Sequence, residues 1–109
     1  MNAEVSNTRW LAPWIPINGG TPDDATAKEL YSELCGTHVL HGIKARPLAH
    51  RQDCDEFLFE LLDGTGCFAS VHLTYARHPE PDPRWPNTEI YPGWQEFLHT
   101  MTAAADWNA

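Results

Sequence analysis

With 109 residues, of which 42% are hydrophobic and 11% aromatic, the chain has enough apolar side chains for one hydrophobic core. It is too short for two cores of ordinary size and too apolar for a disordered chain. Seven basic and fifteen acidic side chains give a net charge of -8, which repels nucleic-acid phosphates and anionic lipid surfaces. The composition therefore disfavours nucleic acid as a partner and indicates one domain whose charged partner would be basic. The alternative interpretation is that the acidic charge only keeps the protein soluble.

The sequence shows no targeting or membrane segment. Residues 1–20 have no basic start followed by an apolar run, and no stretch approaches the about 20 apolar residues of a membrane-spanning helix. Cys35, Cys54 and Cys67 are odd in number and lack CxxC spacing, which favours reduced thiols over a disulfide framework. We expect a soluble cytoplasmic protein without a membrane partner, a metal or another cofactor.

The first third of the chain predicts an apolar arm followed by a helix. Residues 1–20 contain Trp10 and Trp14, and we expect this arm to lie across the core or on a partner. The sequence Thr-Pro-Asp-Asp at 21–24 has the order of a helix start, with Thr21 as the N-cap. The helix is predicted from about Pro22 to Cys35, with Gly36 as its stop signal.

The middle of the chain predicts strands. Residues 37–51 alternate with interruptions and predict an edge strand or two short strands, with Pro47 at a bulge, bend or edge. The run from Phe57 to Tyr75 predicts a β-hairpin around an Asp-Gly-Thr-Gly turn. Its odd-numbered residues, Tyr75 included, are expected on one buried face, and its even-numbered residues on a mixed second face, with Glu60 opposite Ser70.

The last third predicts a loop, a strand and a second helix. Residues 76–88 hold four prolines and predict an extended loop, and Thr88 to Tyr91 predict a short edge strand. A helix is expected from Pro92-Gly93 to about Thr102, followed by a fraying tail at 103–109. Together these elements predict a single α+β domain over residues 1–109, with its globular core at 21–102. They predict a mainly antiparallel sheet of three to four strands, with a central hairpin and two flanking helices.

The second face of the hairpin offers one candidate site, made of Glu60, Ser70, His72 and Thr74. A serine, a histidine and a carboxylate on one face suggest a small-molecule site or hydrolase chemistry. However, the chain has no GxSxG elbow to expose the serine. A structural polar patch on a half-covered sheet is the competing interpretation.

Histidines and carboxylates are the side chains of this sequence that could bind a metal ion. The six histidines form no HxxxH or HxH pair, and a strand would place His38 and His41 on opposite faces. Asp53, Asp55, Glu56 and Asp63 match no calcium loop. Separate surface histidines and solvated turn carboxylates are therefore the preferred interpretation.

The proline-rich loop offers a candidate contact surface. Arg84 and Trp85 lie on a segment stiffened by proline, and such side chains are enriched at protein interfaces. Glu80 and Asp82 would contribute acidic groups at the rim. The alternative is that Trp85 folds onto a sheet edge or stacks on Tyr91.

A pattern of short motifs resembles small bacterial proteins of uncharacterised function. It consists of Phe59-Glu60-Leu61, Asp63-Gly64, Val71-His72-Leu73-Thr74-Tyr75, Trp85-Pro86 and Trp94. Tyr75 stands where those proteins have Trp. The resemblance covers about the last two thirds of the chain and implies no activity and no catalytic residue.

The leading hypothesis is a non-enzymatic protein-binding domain, immunity-like or regulatory, that contacts a basic partner through Glu80, Asp82, Arg84 and Trp85. The competing hypothesis is a small-molecule binder or hydrolase-like enzyme that uses the Glu60, Ser70, His72 and Thr74 face. A third interpretation is a building block of a homo-oligomer.

Overall fold

Within the described residues, five strands form one antiparallel sheet, in the order in which they occur along the chain. The structure is a computed structural model, and it describes Val5 and residues 7–107. Its elements are β1 (Trp14–Pro16), α1 (Ala25–Glu33), β2 (Ala45–Arg51), β3 (Glu56–Leu61), β4 (Phe68–His72), β5 (Thr88–Tyr91) and α2 (Trp94–Trp107). The α+β class and the antiparallel sheet are confirmed, but the expected three to four strands are too few. The additional strand is β1, which comes from the arm.

Strand β1 also changes the place of β2 in the sheet. Ile15 of β1 pairs with His50 of β2, so β2 is an inner strand and not the predicted edge. The bulge predicted as one option at Pro47 is present, because the pairing with β3 shifts between Pro47 and Ala49. The earlier part of the predicted strand forms turns instead. His38 N–H donates to Cys35 O and His41 N–H to His38 O, both at 3.0 Å, which engages backbone groups that a strand ladder would need.

Helix α1 is shorter at both ends than its predicted range. Asp24, and not Thr21, is the N-cap, because its Oδ1 accepts a hydrogen bond from the backbone N–H of Ala27 at 2.9 Å. The helix ends at Glu33, since Leu34 has extended backbone (φ -86°, ψ 116°). Leu34 is buried in the same core as Leu30, so packing ends this helix before Gly36.

The predicted alternation along the hairpin is confirmed within the two strands. Phe59, Ala69 and Val71 are completely buried on the face that packs against α1. The predicted position of Tyr75 on the buried face is wrong. Strand β4 ends at His72, and Tyr75 is 47% exposed with a left-handed φ of 57°. The change of backbone direction after β4 removes Tyr75 from the buried face.

The second face of the sheet is a second core and not a half-covered mixed surface. Leu58 and Phe68 are buried there beneath α2, whose Trp94 ring lies 4.9 Å from the Phe68 ring. The arm completes this core, since the Trp14 ring packs edge-to-face on Phe97 with 5.4 Å between centroids. Of the two expected positions of the arm, across the core or on a partner, the structure supports the core.

The register of the hairpin differs from the expected one by two residues. Leu58, and not Glu60, lies opposite Ser70, while Glu60 lies opposite Phe68. The turn sets this register: Leu61 N–H donates to Cys67 O, and Asp63 Oδ1 accepts from Thr65 N–H at 3.1 Å. The turn is therefore centred on Gly64, which has the left-handed φ (83°) that glycine adopts without strain.

Helix α2 extends beyond the predicted end near Thr102 and continues to Trp107. Residues 103–107 of the predicted tail are therefore helical, while 108–109 lie outside the described residues. Among the described helices, none combines the length and apolar character needed to cross a membrane.

Candidate functional site

The four residues of the predicted polar face do not meet in one site. Ser70 is 2% exposed beneath α2, with its hydroxyl oxygen 3.4 Å from that of Tyr91. His72 is exposed at the end of β4, where it pairs with Glu56. The contact described for the Ser70 hydroxyl is therefore with Tyr91, and not with a histidine that could act as a base.

Glu60 and Thr74 are engaged with other partners. The Glu60 carboxylate accepts from Arg46 Nε at 3.1 Å across the β2–β3 pair. Thr74 lies beyond β4 and donates its hydroxyl to Glu33 or Glu80, each with an oxygen at 3.0 Å. Glu60, Ser70 and Thr74 are thus bonded to different partners, and among the described residues these side chains form no common site with His72.

The carboxylates around the hairpin also have local roles. Asp53 binds the Arg51 guanidinium at 2.7 Å, and this pairing lowers the pKa of its carboxyl. Hydrogen bonds from Thr65 lower the pKa of Asp63. In the described part of the chain, no group of three histidine, cysteine or acidic side chains has the geometry to hold a metal ion.

A cleft of about 260 Å³ lies between the arm and β2. Its lining includes Trp10, Gly20 and Arg46, and Arg46 is its one ionisable residue. Because the guanidinium of Arg46 is already paired with Glu60, the cleft offers no free charged group to orient a ligand.

Sequence reasoning missed the buried histidine that connects the segment after α1 with the segment that leads into β5. His38 is 5% exposed, and its Nδ1 accepts from Leu40 N–H at 3.0 Å. The neutral ring therefore carries its proton on Nε2, which donates to Pro86 O at 3.1 Å. The Thr88 hydroxyl donates to the same carbonyl at 3.0 Å. We call these three residues, His38, Pro86 and Thr88, the His38 junction.

Three exposed apolar residues lie close along the chain to members of the His38 junction. Val39 is 60% exposed and follows His38, Trp85 is 50% exposed and precedes Pro86, and Ile90 is 41% exposed two residues after Thr88. They are three of the five large exposed hydrophobic residues in the described part of the chain. Leu40 packs in the same core as Ala69, the residue that pairs with Ile90. We call Val39, Trp85 and Ile90 the Trp85 surface.

A tight turn in the proline-rich loop displays Trp85. Trp85 N–H donates to Asp82 O at 3.0 Å, and the Asp82 carboxylate accepts from Arg84 N–H at 2.9 Å and from Arg84 Nη2 at 2.6 Å. The Arg84 side chain lowers the pKa of Asp82 to about 2. The structure thus brings together Asp82, Arg84 and Trp85, and the first two neutralise one another. The option that Trp85 stacks on Tyr91 is wrong, because the described ring contact of Tyr91 is with Phe97.

A buried carboxylate anchors the start of the proline-rich loop. Glu33 is completely buried, and it accepts from the backbone N–H groups of Thr74 and Tyr75, both at 2.9 Å. Its own carbonyl accepts from Glu80 N–H at 3.1 Å. Burial, and next a hydrogen bond with Glu29, raise the pKa of Glu33. The sequence signal for Glu33 was its spacing of three from Leu30 on the buried face of α1.

Comparisons with protein-family models, with curated proteins and with solved structures found no significant match to this chain. The functional interpretation therefore depends on the geometry of the described residues.

Proposed function

We propose that this chain is a non-enzymatic protein-binding domain that contacts a basic partner through the Trp85 surface. The side chains of Glu60, Ser70 and Thr74 each have a hydrogen-bond partner in the local structure. Three of the large exposed apolar residues, in contrast, lie close along the chain to the His38 junction. A regulatory or neutralising role, in which binding covers a surface of the partner, fits this arrangement. The unpaired thiols of Cys35, Cys54 and Cys67 fit a reducing compartment, and we propose the cytoplasm.

The observation that carries the proposal is that Trp85 is exposed while its neighbours on both sides are fixed. Its N–H is bonded to Asp82 O, and the next residue, Pro86, is buried with its carbonyl bonded to His38. An aromatic side chain on such a fixed backbone loses little conformational entropy when a partner covers it. Tryptophan is also strongly enriched among the residues that dominate binding energy at interfaces.

Charge supports a basic partner. The net charge of -8 would steer a basic protein toward this chain at low ionic strength. Asp82 is neutralised by Arg84, so the acidic rim consists of Glu80, which is half-buried, and the exposed Glu89. Rim charges of this kind act more on the rate of association than on the final affinity.

Affinity capture from a lysate of the native host tests the proposal. The tagged wild-type chain, Trp85→Ala and Leu62→Ala are compared, since Leu62 is 44% exposed near the hairpin turn and provides a matched truncation. We expect a stoichiometric partner of basic isoelectric point that wild type and Leu62→Ala retain and that Trp85→Ala loses. Absence of a stoichiometric partner, or equal capture by all three chains, contradicts the proposal.

A further inference from the structure

Strand β5 forms an open edge of the sheet, with backbone groups that point away from β4. His72 N–H donates to Asn87 O at 2.9 Å, and the register continues with Ser70 opposite Glu89. In an antiparallel pair, hydrogen-bonded residues alternate with residues that are not bonded to that partner. The N–H and C=O groups of Thr88 and Ile90 therefore point to the outer edge. Within the described residues, no strand pairs with this edge.

Within β5 itself, no lysine, proline or bulge prevents a strand from pairing at Thr88 and Ile90. Edge strands are commonly protected by lysine or proline within the strand or by a bulge. The four residues of β5 include neither lysine nor proline, and their pairing with β4 runs without a shift. Ile90 is exposed on the α1 face of this edge and belongs to the Trp85 surface. Unpaired backbone groups and exposed apolar side chains thus occur together.

A second copy of this chain fits the β5 edge poorly. A twofold pairing in which Thr88 bonds to Ile90 of the other copy would place the two Glu89 side chains opposite one another, which is destabilising. Shifting that pairing by two residues puts Pro86 or Pro92 at a bonding position, and proline has no N–H to donate. The net charge of -8 on each copy adds repulsion.

We propose that β5 accepts an extended basic segment of the partner protein as a sixth strand, an inference that rests on the proposed function. The segment's backbone bonds to the N–H and C=O groups of Thr88 and Ile90. Because side chains alternate in a strand, its apolar residues lie on the α1 face beside Ile90. Its lysine or arginine residues then lie on the opposite face, beside Glu89, where the charges are complementary.

The test uses the full chain and the capped hexapeptide Lys-Val-Lys-Val-Lys-Val as the probe. Amide hydrogen exchange is followed by NMR at a peptide concentration about ten times its dissociation constant. We expect exchange at Thr88 and Ile90 to slow by about tenfold, the limit set by mass action. The amides of Glu89 and Tyr91, which already face β4, should change little. The Glu-Val hexapeptide should have no effect, and a probe N-methylated at every residue should not bind, because it has no N–H to donate to β5.

A backbone variant tests the same hydrogen bonds without changing charge. Ile90→Pro removes an N–H that faces outward and leaves the β4 pairing, a position where edge strands tolerate proline. We expect the peptide to bind about five- to tenfold more weakly to Ile90→Pro than to Ile90→Val, as the loss of one hydrogen bond predicts. An unchanged thermal midpoint confirms that the variant is folded.

Three results would overturn the proposal. The first is that the basic peptide leaves exchange at Thr88 and Ile90 unchanged. The second is that the acidic peptide slows exchange there equally. The third is that exchange slows at high protein concentration without peptide, while light scattering shows a dimer. Partner capture that depends on Trp85 but leaves β5 exchange unchanged would reject strand addition and retain the proposed function. If partner capture does not depend on Trp85 and exchange at β5 is also unchanged, both strand addition and the proposed function are rejected.

Discussion

The buried ring of His38 donates a hydrogen bond from Nε2 to the carbonyl oxygen of Pro86 at 3.1 Å, across 48 positions of the chain. This contact fixes the end of the proline-rich loop, while the carboxylate of Glu33 fixes its beginning. The loop between these two anchors carries Trp85. The backbone on both sides of Trp85 is therefore held by hydrogen bonds to distant residues.

Replacing His38 should destabilise the protein. His38→Ala leaves the buried N–H of Leu40 and the carbonyl of Pro86 without this partner, so we expect a loss of about 1–3 kcal/mol in the free energy of unfolding. His38→Asn keeps an acceptor for Leu40 but does not reach Pro86. Its free energy of unfolding should therefore fall by less than that of His38→Ala. Urea denaturation of the two variants and wild type checks this order, and equal stability of all three would contradict the role given to the ring.

Glu33 should make stability depend on pH. Its pKa is raised above the ordinary value of 4.5, mainly by burial. An acid with a higher pKa in the folded state stabilises the fold most below pH 4.5. That contribution is lost as the pH rises through the folded-state pKa. The free energy of unfolding of wild type minus that of Glu33→Gln should therefore fall from pH 4 to pH 7.

Urea denaturation at several pH values measures this difference. Glu89→Gln removes an exposed carboxyl group and controls for the change in net charge. A difference between wild type and Glu33→Gln that rises with pH would mean that hydrogen bonding, and not burial, dominates the pKa of Glu33.

Gly20 should not tolerate a side chain. A Cβ at this position would clash with the carbonyl oxygen of Pro47 at the bulge of β2. We expect Gly20→Ala to lower the free energy of unfolding by about 1–3 kcal/mol. Gly36→Ala is the matched control, because a Cβ there meets no atom within 4 Å. Thermal and urea denaturation compare the two, and equal stability would show that the approach of residue 20 to β2 relaxes without cost.

The elements set by local patterns could be predicted from the sequence, and those set by distant partners could not. Alternation along β3 and β4 identified Phe59 and Val71 as buried, because the period of a strand is local. Strand β1 has three residues and ends at Pro16, and its pairing depends on β2, more than 30 positions away. No local pattern carries that information.

The same limit applies to the residues that shape the site. Glutamate and histidine usually lie at the surface, so Glu33 and His38 gave no strong signal of burial. Their polar atoms are satisfied by backbone groups 41 and 48 positions away. Trp85 was identified from its type and its proline-rich surroundings, but the two long-range contacts that hold its loop could not be predicted. Ser70 was misjudged because the cover over its face is provided by α2 and the arm.

The most direct test of the account is the dissociation constant of the captured partner for wild type, Trp85→Ala and Leu62→Ala, measured by calorimetric titration. If Trp85 is a dominant contact, its truncation should cost about 2 kcal/mol or more, equivalent to at least about a 30-fold increase in the dissociation constant. Leu62→Ala should remain within about twofold of wild type, as expected of a residue outside the interface. A Trp85→Ala value within that same range would contradict the central claim.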